Sequence, residues 1–192
     1  MSTYTALHVQ SDGASVEPLL VDWLKSIHQA SSVSVVKQRE FPLNLYGDDF
    51  AWEDPPTMLA IGSEQPGWAT VYYNSFYEMR DIAAEVSRTL KCYAVVVMAQ
   101  SVSEAYFLCV CRDGEHLRTL QWVGDQGEWV IQEGEPLPFE KQPLGRNISG
   151  EGEEPFYVFE RDEVLDYCAN LGLELWGEAD VPLWAVLKVE GA

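Results

Sequence analysis

The constraint that most limits how this chain can fold is a two-residue turn, Asp113-Gly114, set between the apolar runs Ala105 to Cys111 and Glu115 to Val123. Asp and Gly accept the positive φ angles of a type I′ turn, whose twist matches that of paired antiparallel strands, so the two runs are expected to form a hairpin. A second turn, Gly124-Asp125-Gln126-Gly127, leads into Glu128 to Gln132 and extends the hairpin to a meander. Gly134-Glu135-Pro136-Leu137-Pro138 then ends the sheet pattern, because proline cannot donate to a strand ladder.

Upstream of the hairpin, Gly67 to Tyr73 is β-branched and aromatic and reads as a strand. Ser75 and Glu78 have the spacing of a helix capping box, and Phe76, Met79, Ile82, Ala83, Val86 and Leu90 fall on one helical face. Cys92 to Ala99 suits a strand buried on both faces. Gly67 to Ala99 therefore reads as a βαβ-like unit, with a right-handed crossover if its strands are parallel neighbours.

The N-terminal segment repeats that element order: a strand at Thr3 to Val9, a helix from Val16 to Gln29 with Pro18 in its first turn, and a strand at Val33 to Lys37. Phe41 to Pro56 is irregular, and Thr57 to Ile61 is expected as an edge strand. Lys141 to Pro155 has the composition of a mobile loop. Phe156 to Phe159, a helix at Arg161 to Ala169 with Val164, Leu165 and Cys168 inward, and a strand at Pro182 to Val189 complete the chain.

The expected fold class is α+β: a mixed, mainly antiparallel sheet built from two strand-helix-strand units and a meander, with helices packed on it. One domain over 1–192 is expected, subdivided at 1–62, 63–140, 141–155 and 156–192.

Charge narrows the function classes. The formal net charge is −19, and from Gly124 onward 16 Asp/Glu face 4 Lys/Arg. Such a surface repels nucleic acid and anionic membranes and attracts basic partners. The N-terminus has no basic region followed by an apolar run, and no stretch reaches the roughly 18 apolar residues of a membrane span. A cytoplasmic location is expected, with Cys92, Cys109, Cys111 and Cys168 as free thiols.

Catalytic patterns are missing from the sequence. His8, His28 and His116 are far apart, and none stands in a nucleophile motif. Cys109-x-Cys111 lacks the spacer and second ligand pair of common zinc sites, and His116 reads as a solvent-facing strand residue. Neither a metal nor a cofactor is expected. The acidic-aromatic run Asp48-Asp49-Phe50-Ala51-Trp52-Glu53-Asp54 combines an apolar anchor with charge. Asp48, Asp49, Trp52, Glu53 and Asp54 are therefore the candidate contacts for a basic protein partner.

The order of strand, amphipathic helix, buried strand and Asp-Gly hairpin resembles that of small bacterial proteins, some of them found beside toxins. With the charge, this points to a non-enzymatic protein-binding module, an immunity or inhibitor protein that covers a toxin's basic surface. The alternative is a small enzyme or small-molecule-binding domain with a pocket between sheet and helices.

Overall fold

A computed structural model describes residues 3–47, 50–124, 127–175 and 181–190. In chain order the elements are β1 (Thr3–Val9), α1 (Gly13–His28), β2 (Val33–Gln38), a 3-10 turn (Leu43–Tyr46), β3 (Met58–Gln65), β4 (Trp68–Tyr73), α2 (Arg80–Leu90), β5 (Tyr93–Gln100), β6 (Ala105–Arg112), β7 (Glu115–Val123), β8 (Glu128–Glu133), β9 (Arg146–Asn147), β10 (Tyr157–Val158), α3 (Arg161–Asn170) and β11 (Trp184–Val189). Nine strands form one sheet in the order β2-β11-β3-β4-β1-β5-β6-β7-β8, and β9 pairs with β10 in a separate two-stranded ribbon.

The α+β class and the large antiparallel sheet agree with the sequence. The expected neighbours differ. Every adjacent pair in the large sheet is antiparallel, so the sheet is not mixed. β4 and β5 do not pair, because β1 lies between them and is antiparallel to both. β2 lies at the sheet edge, separated from β1 by β4, β3 and β11. The segment expected as an edge strand, β3, is interior, because the C-terminal β11 pairs with it on one side and with β2 on the other. Within the segment expected as a mobile loop, Leu144 is buried in the core and β9 forms its two-residue ladder with β10.

Helix boundaries shift for local reasons. Asp12 caps α1, its carboxylate accepting from the Ser15 N–H at 2.8 Å, so the helix starts earlier than expected. Pro18 then sits in the second turn, where it cannot donate to the Ala14 carbonyl. Ala14 and Pro18 are both exposed, which leaves that carbonyl on the wet side of the helix. The Ser75–Glu78 capping box does not form: α2 begins at Arg80, and the Ser75 hydroxyl accepts from the Tyr77 N–H instead. Tertiary contact overrides the cap, because the Phe76 N–H donates to the Trp52 carbonyl and holds 74–79 as a loop.

Strict alternation along the strands builds two cores. Ala94, Val96 and Met98 of β5 and Phe107, Cys109 and Cys111 of β6 face α1 and α2, whose Val16, Leu20, Leu24, Ile82, Ala83 and Val86 complete that layer. Val95, Val97, Leu108, Val110, Leu120 and Trp122 point to the opposite face, where α3 places Val164, Tyr167 and Cys168. Further along that face, Leu45, Met58, Ala60, Val181 and Trp184 form a third cluster. No helix among the described residues is long and apolar enough to cross a membrane.

Polar groups are also buried in these layers. Arg118 of β7 and Glu140 have side chains only 4% and 0% exposed and form a two-pronged ion pair, with Nε and Nη2 each 2.9 Å from a carboxylate oxygen. The Tyr167 hydroxyl donates to Glu140 at 2.6 Å and the Leu137 N–H at 3.0 Å, while Arg118 Nη1 donates to the Gly134 carbonyl at 2.9 Å. Burial pushes the Glu140 carboxyl up, but these donors together hold it below its ordinary value. His8 of β1 is buried between the Tyr4 hydroxyl, 2.9 Å from Nε2, and Thr70 Oγ1, 3.2 Å from Nδ1. Burial pushes its pKa down from 6.5 to about 3, so the ring is neutral at pH 7.

Replacing one partner of the Arg118–Glu140 pair strands the other charge, so Arg118→Ala should cost about 3–5 kcal/mol in denaturant unfolding. The apolar double replacement Arg118→Met with Glu140→Leu should cost less than either single change. For His8, the unfolded chain gains a proton near pH 6.5 and the folded chain only near pH 3. Its contribution is therefore full above pH 6.5 and is lost as pH falls toward 3, at up to roughly 1.4 kcal/mol per pH unit. His8→Gln should remove one proton's worth of slope from stability plotted against pH over that window.

Candidate functional site

The turn end of the β5–β6 hairpin, the 74–79 loop and the segment carrying Trp52 and Glu53 enclose a groove of about 480 Å³. The buried Met98 and Phe107 form its floor, and Trp52, Glu53, Phe76, Tyr77, Glu78 and Gln121 also line it. The loop carrying Trp52 is held from below by Asn74, which is fully buried. Asn74 Oδ1 accepts from the Thr57 and Met58 N–H groups at 3.0 and 2.9 Å, and its carbonyl accepts from the Ala51 N–H at 2.7 Å.

Trp52 is 66% exposed and has φ 50°, a left-handed conformation that a bulky side chain rarely adopts. Its ring packs on Phe50 at 5.9 Å and on Phe76 at 6.2 Å between centroids, and Phe50 meets Phe76 edge to face at 5.0 Å. Trp52 is thus exposed, in a strained backbone conformation and anchored by two aromatic rings, and it shares the groove lining with Glu53 and Glu78. Glu78 is only loosely neutralised: Arg80 is 4.0 Å from it and 2.6 Å from Glu133.

Of the five residues singled out from the sequence, Trp52 and Glu53 line this groove. Asp54 is exposed on the turn closed by its own N–H to the Ala51 carbonyl at 2.9 Å, and it is not among the groove residues. Asp48 and Asp49 lie outside the described residues. Phe76, Glu78 and the β5–β6 floor escaped sequence reasoning. In the sequence Phe76 fits the helical period of the core face of α2, and the groove depends on contacts between segments distant in sequence.

A second constellation lies on the same sheet face. The Asp113-Gly114 turn, with φ of 54° and 93°, pairs Arg112 with Glu115 and Cys111 with His116. Cys109 is two residues along β6 on the same face, so its sulfur lies 3.8 Å from that of Cys111. His116 Nδ1 is 3.4 Å from Cys111 Sγ and 3.7 Å from Cys109 Sγ. The sulfurs are buried, while His116 reaches solvent as the sequence suggested. The cross-strand Cys111–His116 pairing follows from the two-residue turn and was legible in the sequence; considering the cysteines only as a spaced motif missed it.

Beyond His116 a bulge changes the register. Val110 pairs with Arg118 and Cys109 with Thr119, leaving Leu117 as the extra residue. The Thr119 hydroxyl donates to Cys109 Sγ at 3.7 Å. A hydrogen bond from Cys111 draws the Cys109 thiol below its ordinary range against the opposing effect of burial, and Cys111 is raised as the donor of that bond. Both thiols are buried, and His116 is the member of the cluster that faces solvent.

Compared with models of known protein families, with curated proteins and with solved structures, the chain matches none.

The hairpin turn that positions His116 is locked beneath α2. The Gly114 N–H donates to Ser87 Oγ at 2.9 Å, and a Cβ on Gly114 would stand 2.8 Å from Arg88 Cβ. Gly114→Ala combines that clash with a strained φ and should cost about 1–3 kcal/mol, read as a lowered midpoint in urea.

Proposed function

We propose that the chain is a non-enzymatic binding module whose acidic groove receives a basic segment of a partner protein, as an immunity or inhibitor protein would cover the basic surface of a toxin. The observation that carries this reading is Trp52, held exposed in a groove that Glu53 and Glu78 also line. An aromatic face beside carboxylates suits an Arg or Lys side chain, because the ring takes the cation and the aliphatic stem while the carboxylates take the charge. The −19 net charge adds long-range attraction, which raises the association rate for a basic partner. The groove is also within the size range of small-ligand sites, and that is the ground for the alternative of a small-molecule-binding domain.

The test is capture from the host lysate on the immobilised chain at low and high salt, beside a Glu53→Lys, Glu78→Lys variant and a Trp52→Ala variant. One stoichiometric basic protein should be retained by the wild type at low salt and lost at high salt. Its association should be slowed about 10-fold or more by charge reversal, and its affinity reduced by about 2 kcal/mol or more in Trp52→Ala. Equal capture by all three proteins would remove the groove from the function. Capture of no protein, with a neutral small molecule protecting Trp52 fluorescence from quenching, would favour the alternative.

A further inference from the structure

We propose that Cys109, Cys111 and His116 form a three-ligand site for Zn²⁺, with the fourth coordination position open. The three donor atoms come from two adjacent strands and stand in the arrangement that tetrahedral coordination requires. Zinc bound at about 2.3 Å to sulfur and about 2.0–2.1 Å to nitrogen needs tetrahedron edges of about 3.8 Å between sulfurs and about 3.6 Å between sulfur and nitrogen. The observed edges are 3.8 Å for the two sulfurs and 3.7 and 3.4 Å from Nδ1 to Cys109 and Cys111. The side chains therefore need little rearrangement to accept the ion.

Three features of the surroundings agree with this assignment. The hairpin turn and the strand pleat place the ligands on rigid backbone, and the Gly114 N–H on Ser87 Oγ ties that turn to α2. Thr119 donates to Cys109 Sγ, an outer hydrogen bond of the kind that orients a thiolate ligand. His116 is the only one of the three that reaches solvent, which gives the ion an entry point beside the imidazole. When the two sulfur–zinc bonds form, two thiol protons leave to solvent, and two thiolates with one Zn²⁺ make a neutral unit suited to an apolar face.

Oxidation to a Cys109–Cys111 disulfide is the competing chemistry, and the strand disfavours it. Residues two apart on an extended strand have Cα atoms roughly 6.6–6.8 Å apart, at the outer limit of disulfide spans. A metal bridges the sulfurs at their present separation, whereas a disulfide has to bend the strand.

The test is titration of the full chain, freed of metal by a chelator and kept reduced by a phosphine, first with Co²⁺ and then with Zn²⁺. One equivalent of Co²⁺ should give thiolate-to-cobalt charge-transfer absorption and tetrahedral d–d bands, both removed by one equivalent of Zn²⁺. Cys109→Ser and Cys111→Ser should each weaken the charge-transfer bands. His116→Ala, at an exposed position and with unchanged circular dichroism, should weaken Zn²⁺ binding by more than the roughly 10–100-fold lost when a ligand's outer hydrogen-bond partner is removed. Absence of a saturable one-to-one cobalt spectrum, or an unchanged Zn²⁺ affinity in folded His116→Ala, would overturn the assignment.

Discussion

The C-terminal third of the structure depends on one buried ion pair, Arg118 with Glu140. Removing two charges from water costs several kcal/mol per ion, and the pair persists because the charges are satisfied from several directions. Arg118 uses three nitrogens, two on Glu140 and one on the carbonyls of Glu133 and Gly134. Glu140 also accepts from Tyr167 on α3 and from the Leu137 backbone. One guanidinium thus joins the outer strands of the sheet, the irregular 134–140 segment and the helix that covers the second face. A Cβ on Gly134, at φ +84°, would stand 2.2 Å from the Leu117 carbonyl oxygen, so the segment follows this path only with glycine there.

The bulge at Leu117 is the device that permits this. On the turn side of the bulge, the hairpin register puts His116 opposite Cys111 on the helix-covered face. On the far side, the extra residue reverses the alternation, sending Arg118 to the second face and Thr119 to the first. Without it, Arg118 would face the apolar layer beneath α2, away from Glu140. The same residue therefore separates an ion-pair clamp on one face from a thiol–imidazole cluster on the other. The groove residues Phe107 and Gln121 continue the row that contains Cys109 and Thr119, one strand repeat away.

How much was legible in the sequence depends on the range of the interactions. The Asp113-Gly114 hairpin, the buried β5 and the inward faces of α2 and α3 follow from periods of two or 3.6 residues and from turn chemistry, all local. The capping box at Ser75 failed because the Phe76 backbone bonds to Trp52, a partner distant in sequence that outweighs a local cap. The site was half visible: Trp52 and Glu53 stood out by composition, but Phe76 was hidden inside a helical period. His116 looked like an ordinary surface residue until the hairpin register was followed across to Cys111.

By itself the sequence determined most of the element types, the two-faced burial of the central strands, the hairpin register next to its turn and the net negative charge, because each arises from neighbours along the chain or from the sum of charges. Only the tertiary structure decided that β1 enters between β4 and β5, that β11 enters between β2 and β3, and that a bulge divides β7. Those choices place strands by their partners across the sheet. Strand pairing rewards any register that buries the same apolar face, so the final order depends on the fit of whole layers, including where a buried arginine can find its carboxylate.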